Sequence, residues 1–386
     1  MVTTQTLGKG NRPLGSIALA LIVASFFPYI TPIATPFSMQ PYPLIFGLIY
    51  YVSHRLWNFK FVLSIHLPAI TLAAALFLTL YVPSLNALRS LFNYASFSLL
   101  LYCYVHLLVT YDHLKVTHLV GLISVVYVGI GVTQMLIFPS IASCCVGNIA
   151  DNATLLESGR GIASLTPEPT FYGFFCLAFI IIFKIMNYKK YFYVNLFGLV
   201  FLSFSSLALL CFAIYLIITF FAQMSIRNRI YFISISGLIV VVLWNFISQL
   251  DLRLILILNN FIENGFVVAS MDESISGRLY HLVQPWQSFI DNWGLPHLFS
   301  GLPNGDPRIL SGFGSGIYEL GVLFLPVLWT IVYICLKYVL TNPKDIAVPI
   351  LLGIIWFNAN QLGMSVFIFY LGFIYCQVEK KVKHES

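Results

Sequence analysis

The chain alternates long apolar runs with short polar stretches, and the runs predict helices near residues 14–30, 42–53, 61–82, 91–110, 116–138, 170–186, 191–203, 206–222, 230–247, 313–337, 346–358 and 363–378. A helix needs roughly 20 apolar residues to cross a hydrocarbon core about 30 Å thick. Most runs approach that length; those at 42–53, 191–203 and 346–358 fall short of it. No heptad array, internal repeat or low-complexity tract interrupts the pattern. The expected architecture is an all-α polytopic membrane protein with about 12 transmembrane helices, forming a single transmembrane domain over 1–386. The first run begins at Leu14 with no small-residue cleavage site after it, so it is expected to be a retained helix.

Composition agrees with this reading. Only 9% of the residues are charged and 59% are hydrophobic, against roughly 25% charged in a soluble domain. A water-soluble chain so poor in charge could not cover its surface. The net charge of +6 has a topological explanation that does not need nucleic acid. If the N-terminus is cytoplasmic and each run crosses once, the inside segments collect Lys9, Arg12, Arg55, Lys60, Lys115, Lys184, Lys189, Lys190, Arg227, Arg229, Lys337, Lys344, Lys380, Lys381 and Lys383. Only Arg89, Arg160, Arg253, Arg278 and Arg308 fall outside, which is the asymmetry the positive-inside rule describes. Both termini are then cytoplasmic. The same parity breaks Tyr191–Ala222 at Ser203–Ser206, and folds Ile346–Gln377 into a hairpin around Asn358–Gly363.

Two polar stretches on the outer side are long: 139–170 and 248–312. Long ordered loops on a rigid scaffold commonly carry function. Within the second, Asp251–Ile262 and Leu279–Ile290 have the pattern of amphipathic interfacial helices. The apolar runs look nearly free of ionisable residues apart from His66 and His106, which favours chemistry at the surface over transport at the midplane. Cys103, Cys176, Cys211, Cys335 and Cys376 lie in apolar runs as small hydrophobes. Cys144 and Cys145 have no metal-ligand spacing, and no disulfide or zinc site is expected.

Every outside cation is Arg, whose planar fork suits bidentate phosphate or carboxylate recognition; the alternative is Arg reaching lipid phosphates. The most informative segment runs from Arg160-Gly161 to Thr166-Pro167-Glu168-Pro169-Thr170-Phe171-Tyr172-Gly173. Proline is favoured in a first helical turn, so Glu168 is expected at the mouth of a helix beginning near Thr170. There it is either a general base or a capping carboxylate paired with Arg160. Trp286, Trp293 and Tyr280 either stack on sugars or form an interfacial aromatic belt.

This segment resembles the Arg…Glu-Pro-Ser-x-x-Gly region of bacterial O-antigen polymerases and ligases, the Wzy-type superfamily. Ser276-Gly277-Arg278, Trp286, Phe289 and Leu298-Phe299-Ser300-Gly301 resemble the pattern of that family's large periplasmic loop. Glu319-Leu320-Gly321 is similar to the Glu-x-Gly opening of the following helix. Ligases of the superfamily place a His-Asn pair shortly before that helix, where this chain has Leu310-Ser311, so polymerase is favoured over ligase. Gly173 lies thirteen residues after Arg160, and not the eleven of some polymerases.

The resemblance implies a GT-C-like membrane glycosyltransferase in the bacterial inner membrane, active on its periplasmic face. Its donor would be a growing glycan on undecaprenyl pyrophosphate, and its acceptor a hydroxyl of another lipid-linked repeat unit. The expected catalytic residues are Glu168, Arg160 and Arg278. Arg308, Arg253, Arg89, Tyr172 and His281 are expected to bind pyrophosphate or glycan, with His297 a further candidate base. No cofactor is expected, and Asp272-Glu273 without an outside Asp-x-Asp pair does not predict a metal. The expected partners are the lipid-linked oligosaccharide, membrane lipid and a separate chain-length regulator protein, with no role for nucleic acid. A polysaccharide flippase is the alternative of a different class.

Overall fold

A computed structural model describes residues 14–31, 40–58, 63–141, 145–146, 161–225, 227–228, 273–300, 311–358 and 362–385. The elements are α1 (Ser16–Phe26), α2 (Tyr42–Ser53), α3 (Leu63–His66), α4 (Pro68–Tyr81), α5 (Leu85–Thr110), α6 (His113–Leu136), α7 (Pro169–Ile185), α8 (Lys189–Phe197), α9 (Ser206–Gln223), α10 (Glu273–Asp291), α11 (Gly312–Leu320), α12 (Leu325–Thr341), α13 (Ala347–Asn358) and α14 (Ser365–Glu385). Among the described residues there is no strand, only a single bridge between Ile30 and Val146. Among the described residues, four stretches are long and apolar enough to cross a membrane: Leu85–Thr110, His113–Leu136, Ser206–Gln223 and Gly312–Thr341. Five shorter apolar helices of 10–17 residues accompany them. The described residues form an all-helical structure whose long apolar helices are compatible with a membrane protein.

The helix starts follow local chemistry. Ser84 and Asp112 cap α5 and α6 through side-chain bonds from Ala87 N at 3.0 Å and Leu114 N at 2.9 Å. With the Ser84 cap, α5 begins six residues ahead of the predicted 91. Pro68 divides the predicted 61–82 run into α3 and α4, because proline is tolerated in a first turn and not in a helix interior. The predicted break at Ser203–Ser206 is present. A π-helical segment, Gly198–Ser203, follows α8; Phe204 then takes a left-handed φ of 41°, and Ser205 caps α9. The predicted 313–337 run is instead two helices, since Gly321 turns the chain at φ 55° between α11 and α12. The predicted helices at 230–247 and 251–262 lie outside the described residues.

Helices α7 and α14 form the centre. Residues 172–183 and 364–376 are buried on every side, as expected of helices apolar all round. In such an interior each polar side chain needs a protein partner. Ser25 of α1 supplies a node: its Oγ donates to Leu21 O at 2.5 Å and accepts from Tyr104 OH, while Ser365 Oγ donates to Ser25 O. Tyr127 OH donates to Phe26 O at 2.6 Å, adding α6 to the same joint.

The bundle has two distinct ends. At one, Lys184 lies over the Tyr215 ring at 4.8 Å and Lys337 pairs with Glu379 at 2.5 Å. Near it, Tyr50 OH bonds His106 Nδ1 at 2.9 Å, and His54 Nε2 bonds Tyr111 OH at 3.0 Å. The other is the loop end, where the described parts of the two long polar stretches meet the bundle. Thr31 N donates to Cys145 O at 2.6 Å, and Ile162 N donates to Leu202 O at 2.9 Å. Gly161 lies so close to the Ser203 carbonyl that a Cβ would overlap backbone atoms.

That approach is fixed main chain against main chain, so Gly161→Ala is expected to destabilise by about 1–3 kcal/mol through overpacking. Gly129, with open space around it, is the control. Heating the detergent-solubilised protein and following its monodisperse fraction should show a lower midpoint for Gly161→Ala and none for Gly129→Ala.

Candidate functional site

At the loop end, the turn before α7 is built by Thr166, whose Oγ1 donates to Ala163 O at 2.7 Å and Glu168 O at 2.9 Å. Ser164, buried and left-handed at φ 53°, donates to Tyr127 O at 2.6 Å. Pro169 then occupies the first helical position and Glu168 the cap, with extended backbone. Its side chain is exposed and makes no capping hydrogen bond, so the capping alternative finds no support in the helix backbone. The carboxylate stands at the electropositive end of α7. Tyr29, at the end of α1, is within electrostatic reach of Glu168.

A second carboxylate, Glu319, lies on α11 inside the membrane-crossing stretch Gly312–Thr341. Seven residues of helix put it about 10 Å along α11 from Gly312. Its Oε1 accepts from Ser90 Oγ at 2.8 Å and its Oε2 from Tyr94 OH at 2.7 Å, both on α5. The expectation that the apolar runs carry no carboxylate is therefore corrected. An ionisable group within a span is costly unless partnered and marks a functional position by default. The sequence carries the signal, since Glu319 is an isolated acid in an otherwise apolar stretch.

The glycine of that motif has a separate task. Gly321 faces the Gly294 carbonyl so closely that a Cβ would overlap it, and Val322 N donates to Gly294 O at 2.9 Å. This contact closes the second long stretch against the root of α12. Inside the closure, His297 stacks on Tyr318 with ring centroids 4.2 Å apart. Its backbone N donates to Tyr318 O at 3.0 Å, and its Nε2 lies 2.9 Å from Asn292 Nδ2. A His and an Asn are thus paired beside the Glu-x-Gly helix, although they are not neighbours in sequence.

The other expected site residues are placed unevenly. Arg89 stands on the first turns of α5, next to Ser90, and is half-buried. Arg278 and His281 lie on α10, of which the backbone is described at those positions. Arg160, Arg253 and Arg308 lie outside the described residues. Tyr172 is fully buried, with its hydroxyl against Gly198 and Gly131, a packing position on α7 that offers no surface to a ligand. Among the described residues no three His, Cys, Asp or Glu side chains converge as metal ligands would.

Two outcomes follow. Tyr94→Phe should cost about 1–3 kcal/mol by leaving a half-buried carboxylate short of a donor, and much less in a Glu319→Leu background; equal costs in a double-mutant cycle would show no coupling. Burial holds the His297 imidazole below its ordinary value of 6.5. Its neutral form therefore contributes stability above that value, and the contribution is lost as pH falls from there through the lowered folded-state value. Hydrogen exchange in 292–300 should accelerate relative to intrinsic chemistry as the pH is lowered from about 7 to about 5, and His297→Gln should remove that dependence. The chain matches no protein-family model and no curated protein.

Proposed function

We propose that the chain is a polysaccharide polymerase of the bacterial inner membrane, with about 12 spans, a GT-C-like architecture, both termini cytoplasmic and the loop end facing the periplasm. It transfers a growing glycan from undecaprenyl pyrophosphate to a hydroxyl of another lipid-linked repeat unit. The observation that carries the reading is Glu168: an exposed carboxylate, held by prolines and a buried turn at the positive mouth of α7, directly after the Arg160-Gly161 segment.

In that reaction the acceptor oxygen attacks the donor's anomeric carbon, the bond from that carbon to the pyrophosphate oxygen breaks, and the acceptor proton passes to the Glu168 carboxylate. The leaving pyrophosphate gains charge, which arginine donors stabilise most where water is scarce. Arg160 and Arg278 take that role, with Arg89, Arg253 and Arg308 as further contacts. The pairing of Asn292 with His297 favours ligase as a second reading. Intramembrane Glu319 is the observation that favours a flippase.

The readout is the glycan ladder from cells lacking the protein and complemented with parent, Arg160→Ala, Glu168→Gln or Arg278→Ala chains at equal membrane levels. A polymerase gives single repeat units on the final acceptor when lost, and the variants fail to restore the ladder. Lipid-linked polymer with no units on the acceptor identifies a ligase, and lipid-linked repeats retained on the cytoplasmic face identify a flippase.

A further inference from the structure

Helix α12 shows which of its faces meets lipid. Val322, Leu325, Trp329, Val332, Leu336 and Leu340 are exposed at helical spacing, while Phe324, Val327, Ile331, Ile334 and Tyr338 on the other side are buried. In a membrane-crossing helix an exposed apolar stripe of this kind faces hydrocarbon.

The stripe does not end at Val322. The Val322–Gly294 hydrogen bond and the close approach of Gly294 to the Val322 side chain bring Trp293 and Leu295, on either side of Gly294, to its upper edge. Both are exposed, Trp293 to 92% of its surface. The end of α10 continues the same edge. Ser288 and Pro285 are buried, Phe289 and Trp286 are half-buried against the core, and Ile290 and Val283 are exposed apolar residues beside them. Polar residues follow around the helix: Gln287 is hydrogen-bonded to Asp291 at 3.2 Å, and Gln284 is half-exposed. The sequence of faces is core, apolar edge, polar edge, which is the profile of a helix lying at a bilayer surface.

The turn adds a specific anchor. Gly294 N donates to Phe289 O at 2.8 Å and Trp293 N to Ile290 O at 3.2 Å, the paired bonds of a Schellman stop. The left-handed residue of such a stop is ordinarily glycine, yet here it is Trp293 at φ 55°. A tryptophan is costlier there and, in water, would gain nothing from its exposure. At a headgroup boundary its amphipathic ring is favoured.

We propose that residues 283–295 are seated in the bilayer interface at the loop end, with outer-leaflet phospholipid as their partner and Trp293 as the anchor. The seat is continuous with the lipid face of α12, and it ties the height of the Asn292–His297 pair and of the root of α11 to the headgroup layer. It does not depend on which reaction the protein performs.

The test uses the full chain in liposomes of phospholipid brominated either high on the acyl chains or near their ends. The emission that disappears in Trp293→Phe is taken as the Trp293 component. A loss of that component that is greatest with the high bromines, and weak with iodide present on both sides of the membrane, is the expected result. Quenching by iodide and not by bromine would put Trp293 in water and overturn the proposal. Quenching by neither would mean that protein covers it, from a second copy or another chain, and overturns it equally; a greater effect of the deep bromines overturns the interfacial depth. A nitroxide on Trp293→Cys, in a chain with Cys144 and Cys145 replaced by Ser, gives an independent reading. It should be reached by oxygen more than by a water-soluble nickel chelate, and one on Gln287→Cys less so; equal accessibility at the two positions counts against the seat.

Discussion

In hydrocarbon, a backbone or hydroxyl group without a partner costs several kcal/mol, and that requirement determines where this chain can stop being helical. Within the bundle, polar side chains answer one another across helices. Ser25 joins α1 to α5 and α14, and Tyr127 reaches the last carbonyl turn of α1. Where the helix is interrupted, the released carbonyls are taken up at once. Leu202 O at the end of the π-helical segment accepts from Ile162 N, and Gly294 O accepts from Val322 N. Both interruptions lie at the loop end, beside the chain that carries the motif residues.

The candidate chemistry occupies two places at that end. Glu168 is exposed at the mouth of α7, while Glu319 is half-buried on α11 and is held by Ser90 and Tyr94. Contacts link them across the bundle. Phe171 rests against Tyr29 with ring centroids 5.8 Å apart, Tyr29 reaches Met364, and Gly363 packs on Asn93, one turn from Ser90 and next to Tyr94 on α5. The exposed acid suits proton transfer with solvent and substrate. The half-buried one ties α11 to α5 through its bonds from Ser90 and Tyr94.

Much of the helix pattern was legible because apolar length and proline position act locally. Pro169 announced the start of α7, and the Lys and Arg parity found the break at Ser203–Ser206. What stayed hidden depends on pairing at a distance. Gly321 reads as the glycine of a motif, with no structural task, until Gly294 is brought against it, and α5 reads as shorter because Asn86, Arg89 and Ser90 dilute its first turns. Tyr172 belongs to a motif but is spent on packing against Gly198 and Gly131, a role that only the crossing of α7 with its neighbours reveals. The arginine candidates were visible as a class through the charge asymmetry alone, which says nothing about their individual partners.

The touching pair Gly294 and Gly321 also has a consequence for how such a protein can diversify. Everything between them is a closed excursion whose two feet are joined by main-chain atoms and two side-chain-free positions. Closure at those two feet is therefore written in the backbone and not in side chains. A lineage can change the side chains that flank the feet while α10 and α12 keep their registration, whereas the buried face of α11 ties the enclosed chain to the core.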